Sequence, residues 1–164
     1  MPNWCANSIS VTHQDPQQID AMIAAYQQGR LLEHFVPLPD GEWNYDFCLS
    51  HWGTKWDVGG PDATWERLDP HTVELSFDSA WAPPVEVYEQ MCTLGFEIDA
   101  RYWEPGMAFC GRFTGNAGGH QDDYREYSNE DADSVRHAVG DDLDDFWGIS
   151  ESMEQWDEPD GEHD

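Results

Sequence analysis

Hydrophobic and polar positions alternate cleanly in four short stretches of this chain, and each predicts a half-buried strand. Within residues 3–12, Ile9 and Val11 share one face. Residues 63–68 and 72–78 form two extended runs joined by Asp69-Pro70-His71, and in the second Val73, Leu75 and Phe77 alternate with Glu74, Ser76 and Asp78. Phe96, Ile98 and Ala100 alternate again, as do Met107, Phe109 and Gly111, with Glu104-Pro105-Gly106 as the hairpin turn between them. Two stretches carry the helical period instead. Asp15-Pro16 is a cap and first turn for a helix bearing Ile19, Met22, Ile23 and Tyr26, which Gly29 ends. Pro83-Pro84 opens a second helix on which Val87, Met91 and Leu94 line up before Gly95. Residues 31–44, with Pro37, Pro39, Asp40 and Gly41, read as a surface loop. The order strand, helix, strand, strand, helix, strand, strand predicts an α+β sandwich, an antiparallel sheet with two helices on one face.

Beyond residue 127 the pattern changes. Leu143, Phe146, Trp147, Ile149 and Met153 keep an apolar stripe, so a final helix is expected to dock on the domain, followed by a solvated tail from about Glu158. The chain thus divides into a domain at 1–127 and an acidic C-terminal helix and tail at 128–164. Of 34 acidic residues against 7 Lys and Arg, half fall after residue 114, and no Lys or Arg follows Arg136.

A net charge of −27 excludes ordinary nucleic-acid binding, which needs clustered Lys and Arg, and disfavours anionic membrane surfaces. Two readings of the charge stay open: a surface directed at a basic partner, or adaptation to a salty cytoplasm. The apolar runs are too short to span a bilayer. The start Met1-Pro2-Asn3-Trp4 carries no basic and apolar leader, so the expected location is the cytoplasm, with Cys5, Cys48, Cys92 and Cys110 as buried free thiols.

The most specified stretch is Trp52-Gly53-Thr54-Lys55-Trp56-Asp57, which places the only lysine between two tryptophans. Its stem is expected to pack on indole and its ammonium to reach a carboxylate such as Asp57. With Trp81, these residues (Trp52, Lys55, Trp56, Asp57) form the candidate binding site, either a stacking cleft or a packed corner. Asp141, Asp142, Asp144 and Asp145 form the candidate acidic surface. On a helix they would place about one charge per 1.9 Å, near the roughly 1.7 Å of duplex DNA, so a nucleic-acid mimic is one reading and a solvated face the other.

No motif spells a reaction. Glu130, Asp131 and Asp133 lack the glycine and terminal glutamate of a calcium loop, and the histidines make no zinc pair. Gly115-Asn116-Ala117-Gly118-Gly119 lacks the Lys-Ser/Thr of a phosphate loop. No catalytic residue, metal or cofactor is expected.

Met1-Pro2-Asn3-Trp4-Cys5-Ala6-Asn7, the Trp52–Asp57 element, Phe77-Asp78-Ser79-Ala80-Trp81-Ala82-Pro83-Pro84 and Glu104-Pro105-Gly106-Met107-Ala108-Phe109-Cys110-Gly111 together resemble the YubB-type family of phage and plasmid proteins, over roughly residues 1–127. The resemblance implies a ferredoxin-like sandwich, a term for topology that carries no iron–sulfur cluster. It also implies a mobile-element origin, and no established activity comes with it. The function expected is that of a non-enzymatic phage or plasmid accessory protein binding a host or defence protein, in its sharpest form as an acidic nucleic-acid mimic. The alternative is a small-ligand or nucleotide-binding domain using the Trp/Lys cleft.

Overall fold

The computed structural model describes residues 3–156; Met1, Pro2 and residues 157–164, including the tail expected from Glu158, lie outside that description. In chain order the elements are β1 (Trp4–Thr12), α1 (Pro16–Gln27), α2 (Leu31–Phe35), a 3₁₀ turn (Pro39–Gly41), α3 (Tyr45–His51), β2 (Thr64–Asp69), β3 (Thr72–Ala80), α4 (Val85–Thr93), β4 (Glu97–Glu104), β5 (Phe109–Asn116), β6 (Gly119–Glu126), α5 (Ala132–Ala138), α6 (Gly140–Trp147) and α7 (Ile149–Trp156). The six strands form one antiparallel sheet in the order β2-β3-β1-β4-β5-β6. The first four strands with α1 and α4 are the ferredoxin-like βαββαβ unit, and β5 and β6 extend it on one side.

The alternating pattern works as expected on the helix side. Ile9 and Val11 of β1, Val73 and Leu75 of β3, and Ile98 and Ala100 of β4 point into one core with Ile19, Met22, Val87 and Met91 of the helices. Asp15 caps α1 by accepting from the Gln17 amide. Two expectations on that side need correction. Leu94 is exposed, because α4 turns its core face through Tyr88 and Cys92 instead. The segment 31–44 is not a loop throughout: Leu31, Leu32 and Phe35 of α2 are buried, and Phe35 meets Phe96 edge-on at 5.2 Å.

The second face of the sheet is not bare. Here α5, α6 and α7 replace the single expected helix and cover the β4–β5 part, where Val135, Val139, Leu143 and Ile149 pack over Cys110 and Tyr127. Arg101 and Arg112, opposite one another on β4 and β5, both reach Asp142, at 3.1 and 3.2 Å. Asp99 takes the rest of Arg112 at 2.7 Å, and the Arg101 guanidinium lies 4.8 Å from the Phe146 ring centre.

Strand β6 escaped the sequence because all eight of its positions are exposed, leaving no alternation to see. What registers it is Gly111. A Cβ there would stand 2.2 Å from the Tyr102 hydroxyl oxygen, so only glycine lets that hydroxyl cross to donate to Asp122 on β6, at 2.7 Å.

All four cysteines are buried and free, as the sequence implied. Burial, with the Glu104 carboxylate nearby, pushes the Cys5 thiol from its ordinary 9.0 up to about 12, and burial does the same to Cys110. An unfolded chain ionises these thiols from pH 9.0, whereas the folded one resists until about 12. Their share of the stability is therefore intact below pH 9.0 and is lost as pH climbs toward 12. Urea unfolding followed across that window should show the midpoint falling, and falling less steeply in Cys5→Ala. A midpoint equally steep in both chains would contradict the assignment.

Candidate functional site

The loop between α3 and β2 is fastened to the end of the sheet where β1 begins and β3 stops. Thr54 Oγ1 donates to the Ala80 carbonyl at 2.7 Å. Gly53, beside the turn before α4, takes the left-handed backbone at φ +83° that an L side chain rarely adopts. Trp52 lies under this loop as core: it is 1% exposed, and its Nε1 donates to the Val36 carbonyl at 2.9 Å. A sequence reading that makes Trp52 part of a stacking surface is thus corrected, since its flat faces are spent on packing.

Asp57 is corrected too. Its carboxylate does not meet Lys55. It accepts the amides of Leu32 at 2.7 Å, Glu33 at 2.9 Å and Val58 at 2.8 Å. All three donors would otherwise be orphaned, two of them at the N-terminus of α2, where the residue in the cap position, Arg30, supplies no side-chain cap. Burial raises the Asp57 carboxyl above its usual range, and the three amides pull in the opposite direction.

Lys55 is left to the rings. Its ammonium stands 4.5 Å from the ring centre of Trp56, 5.3 Å from Trp81 and 6.0 Å from Tyr45. It makes no ion pair and no hydrogen bond among the described residues, in a chain with 34 acids. The ring contact of this lysine is made by its ammonium, and its ring partners are Trp56, Trp81 and Tyr45 rather than Trp52. Tyr45 was missed because it opens α3, just past the segment read as loop and ten residues before the lysine.

The same corner gathers two more rings. Trp43 Nε1 donates to the Lys55 carbonyl at 2.9 Å and lies 6.4 Å from Tyr45, while Trp4 lies 6.0 Å from Trp56. All five rings remain open to solvent: Trp4 by 46%, Trp43 by 50%, Tyr45 by 42%, Trp56 by 37% and Trp81 by 39%. Exposed apolar surface of this kind, gathered in one place, marks an interaction site more often than packing.

Trp81 has an additional mark. Its backbone is left-handed, at φ +67°, which costs an L-residue roughly 1–2 kcal/mol. The turn is held there by its surroundings. Trp81 N donates to the Asn3 carbonyl at 2.8 Å, and Ser79 Oγ donates to the Ala82 carbonyl at 2.6 Å. The buried Asn7 of β1 donates in turn through Nδ2 to Ser79 Oγ at 2.8 Å. Bulky residues forced into this region cluster where a side chain must be aimed.

The acidic candidates are dispersed by the fold. Asp142 is committed to Arg101 and Arg112. Asp144 is buried and caps α7, accepting the Ser150 amide and hydroxyl, both at 2.7 Å. Asp145 is exposed; the side chain of Asp141 lies outside the described residues. These four acids therefore do not form a solvent-facing row. The histidine and acids near the 115–125 hairpin are engaged as well: His120 Nε2 sits 3.4 Å from Glu89, and Asp122 accepts from Tyr102. Asp131 caps α5 through the Ser134 amide. Among the described residues no cluster of three or more His, Cys, Asp or Glu is placed to hold a metal, and no helix is long and apolar enough to cross a membrane. A cavity of about 540 Å³ opens at the β4–β5–β6 end, lined by Asp99, Asn116 and His120 among others, and none of the corner residues lines it.

Comparison with known proteins reaches the fold. A family model described as the ferredoxin-like domain in Api92-like protein matches residues 60–146, from ahead of β2 into α6. Trp81 lies inside that stretch; Trp43, Tyr45, Lys55 and Trp56 precede it. The crystal structure of a protein api92 from Yersinia pseudotuberculosis is similar over 78% of this chain and 99% of its own, with a TM-score of 0.53 and 13% identity, a likeness of fold alone. No curated protein matches the sequence.

Proposed function

The chain belongs to the Api92-like proteins through its ferredoxin-like domain, and from that premise we propose that it is a non-enzymatic binding protein that docks a basic partner protein on the Trp–Lys corner. The observation that carries this is the gathering of five exposed rings at one corner, three of them around an ammonium that no carboxylate among the described residues neutralises. Aromatic side chains at the centre of a contact, fixed in place and ringed by polar groups, are the usual anchors of protein–protein interfaces. Asp40, Glu42 and Asp46, all exposed, flank Trp43 and Tyr45 in sequence and supply such a rim.

The charge selects the partner. A net −27 accelerates encounter with a basic surface and opposes a second copy of the same chain. The general field does this, rather than a nucleic-acid-like row on α6, whose Asp142 and Asp144 are committed within the fold. The resemblance to the YubB-type family adds the setting: an accessory protein of a phage or plasmid, acting on a host or defence protein in the cytoplasm.

The test is capture from host lysate on the immobilised chain, compared with a Trp56→Ala/Trp81→Gly variant. Basic proteins should be retained at low salt by the parent chain only and released as salt rises. Equal capture by both chains would retire the corner as the docking face. A second reading has its own support in the unspent N–H groups of Lys55: an anionic small ligand or nucleotide, stacked on the indoles. Under that reading a ligand-induced rise in melting temperature vanishes in Lys55→Ala.

A further inference from the structure

The cage at the corner is built to hold a cation, and the chain fills it with its own side chain. Three rings contributed by three separate segments converge on one ammonium, at 4.5, 5.3 and 6.0 Å from their centres. Nothing else among the described residues holds that ammonium, because Asp57, the nearest carboxylate in sequence, is spent on the amides of Leu32, Glu33 and Val58. Lys55 is thus an occupant tethered by its stem and retained by weak contacts to half-exposed rings, each an interaction of modest strength at such a site. An occupant held this way exchanges. Two rings of the corner are held in place: Trp81 by its pinned left-handed turn, and Trp43, which meets Tyr45, by its bond to the Lys55 carbonyl.

A guanidinium is the cation best placed to compete. It is planar, stacks on aromatic faces, and is more weakly hydrated than an ammonium, so it gives up less on leaving water for a ring-lined site. The surrounding charge of −27 concentrates such groups at the surface. Resting on the docking function argued above, we propose that the corner receives an arginine side chain of the basic partner, which displaces the Lys55 ammonium from the rings of Tyr45, Trp56 and Trp81. Lys55 then acts as a built-in competitor: it keeps the rings apart from weak cations and sets the threshold that a partner must exceed.

The experiment titrates the full chain with two short capped peptides of equal charge, one alternating Arg and Gly and the other Lys and Gly, by calorimetry. The parent chain is compared with Lys55→Met, Trp56→Ala and Trp81→Gly, each first checked for an intact cooperative melt. Arg30→Gln, which removes a positive charge outside the corner, controls for the change in net charge. The expected result is that the arginine peptide binds several-fold tighter than the lysine peptide. Lys55→Met should tighten the arginine peptide by about fivefold, the worth of one such contact, with Arg30→Gln having a smaller effect. Either Trp variant should abolish the preference for arginine. If Lys55→Met weakens binding or leaves it as in Arg30→Gln while the Trp variants still lower it, the corner docks the peptide but displacement is wrong. Should the Trp variants bind both peptides as the parent does, or should no peptide bind, the docking face itself fails and the displacement with it. Glycine at position 81 accepts the left-handed backbone, so that variant removes the ring without breaking the turn.

Discussion

Asp57→Ala should lower the stability of the chain by about 3 kcal/mol, whereas Asp57→Asn should cost about 1 kcal/mol. The carboxylate accepts three amides that have no other partner, from Leu32, Glu33 and Val58. Alanine removes every acceptor and strands those donors in a partly buried junction, together with the start of α2, whose Leu31, Leu32 and Phe35 belong to the main core. Asparagine keeps Oδ1, which serves Leu32 and Val58, and forfeits only the bond from Glu33. The loss of charge is not the main cost, since burial already disfavours the ionised form and raises the carboxyl above its normal range. A raised carboxyl contributes no stability that acid removes, so the gap between the Ala and Asn variants should persist from pH 7 down to the acid limb. Urea denaturation of the three chains decides it. Equal losses for Ala and Asn would mean that the charge, and hence a pairing with Lys55, is what matters.

The second large effect concerns binding. Removing both Trp56 and Trp81 should weaken partner capture by about a hundredfold or more, the loss expected when two central anchors of a contact disappear. Both rings flank the Lys55 ammonium, both are more than a third exposed, and neither belongs to the main core. Their removal therefore strips the docking face while leaving the sandwich intact. Stability should change little at position 81, because glycine relieves about 1 kcal/mol of backbone strain while losing the ring contacts. A variant that keeps its melt and loses its partner separates docking from folding. A variant that keeps both shows the rings to be idle.

The sheet core was legible because each inner strand turns apolar residues toward α1 and α4 and mostly polar ones toward the other face, which writes itself as period two: Ile9 and Val11, Val73 and Leu75, Ile98 and Ala100. The two principal helices were legible from Asp15-Pro16 and Pro83-Pro84. Where that logic is absent, the sequence was silent. Strand β6 shows no buried side and carries no alternation. Helix α2 has its N-terminal amides satisfied by Asp57, 25 positions from Leu32, so no local cap announces it. The same remoteness explains the site. Lys55 and its tryptophans were conspicuous as residues, yet which indole is core and which is cage depends on Val36 taking the Trp52 N–H and on the Ala80–Ala82 turn aiming Trp81 from far along the chain. The four acids of α6 looked uniform, and only Arg101, Arg112 and Ser150, none of them adjacent, distinguish Asp142 and Asp144 from Asp145.

The presence of a single lysine makes its side-chain resonance unambiguous. With 13C-labelled lysine, the ε-methylene protons of Lys55 should be shifted well upfield of an exposed lysine by the Trp56 and Trp81 rings. That shift should be unaltered in Asp57→Asn and largely abolished in Trp81→Gly. An ε-methylene signal at the position of a free lysine in the parent chain, or one that moves when Asp57 is changed and ignores the loss of Trp81, would contradict a ring-held ammonium at this corner.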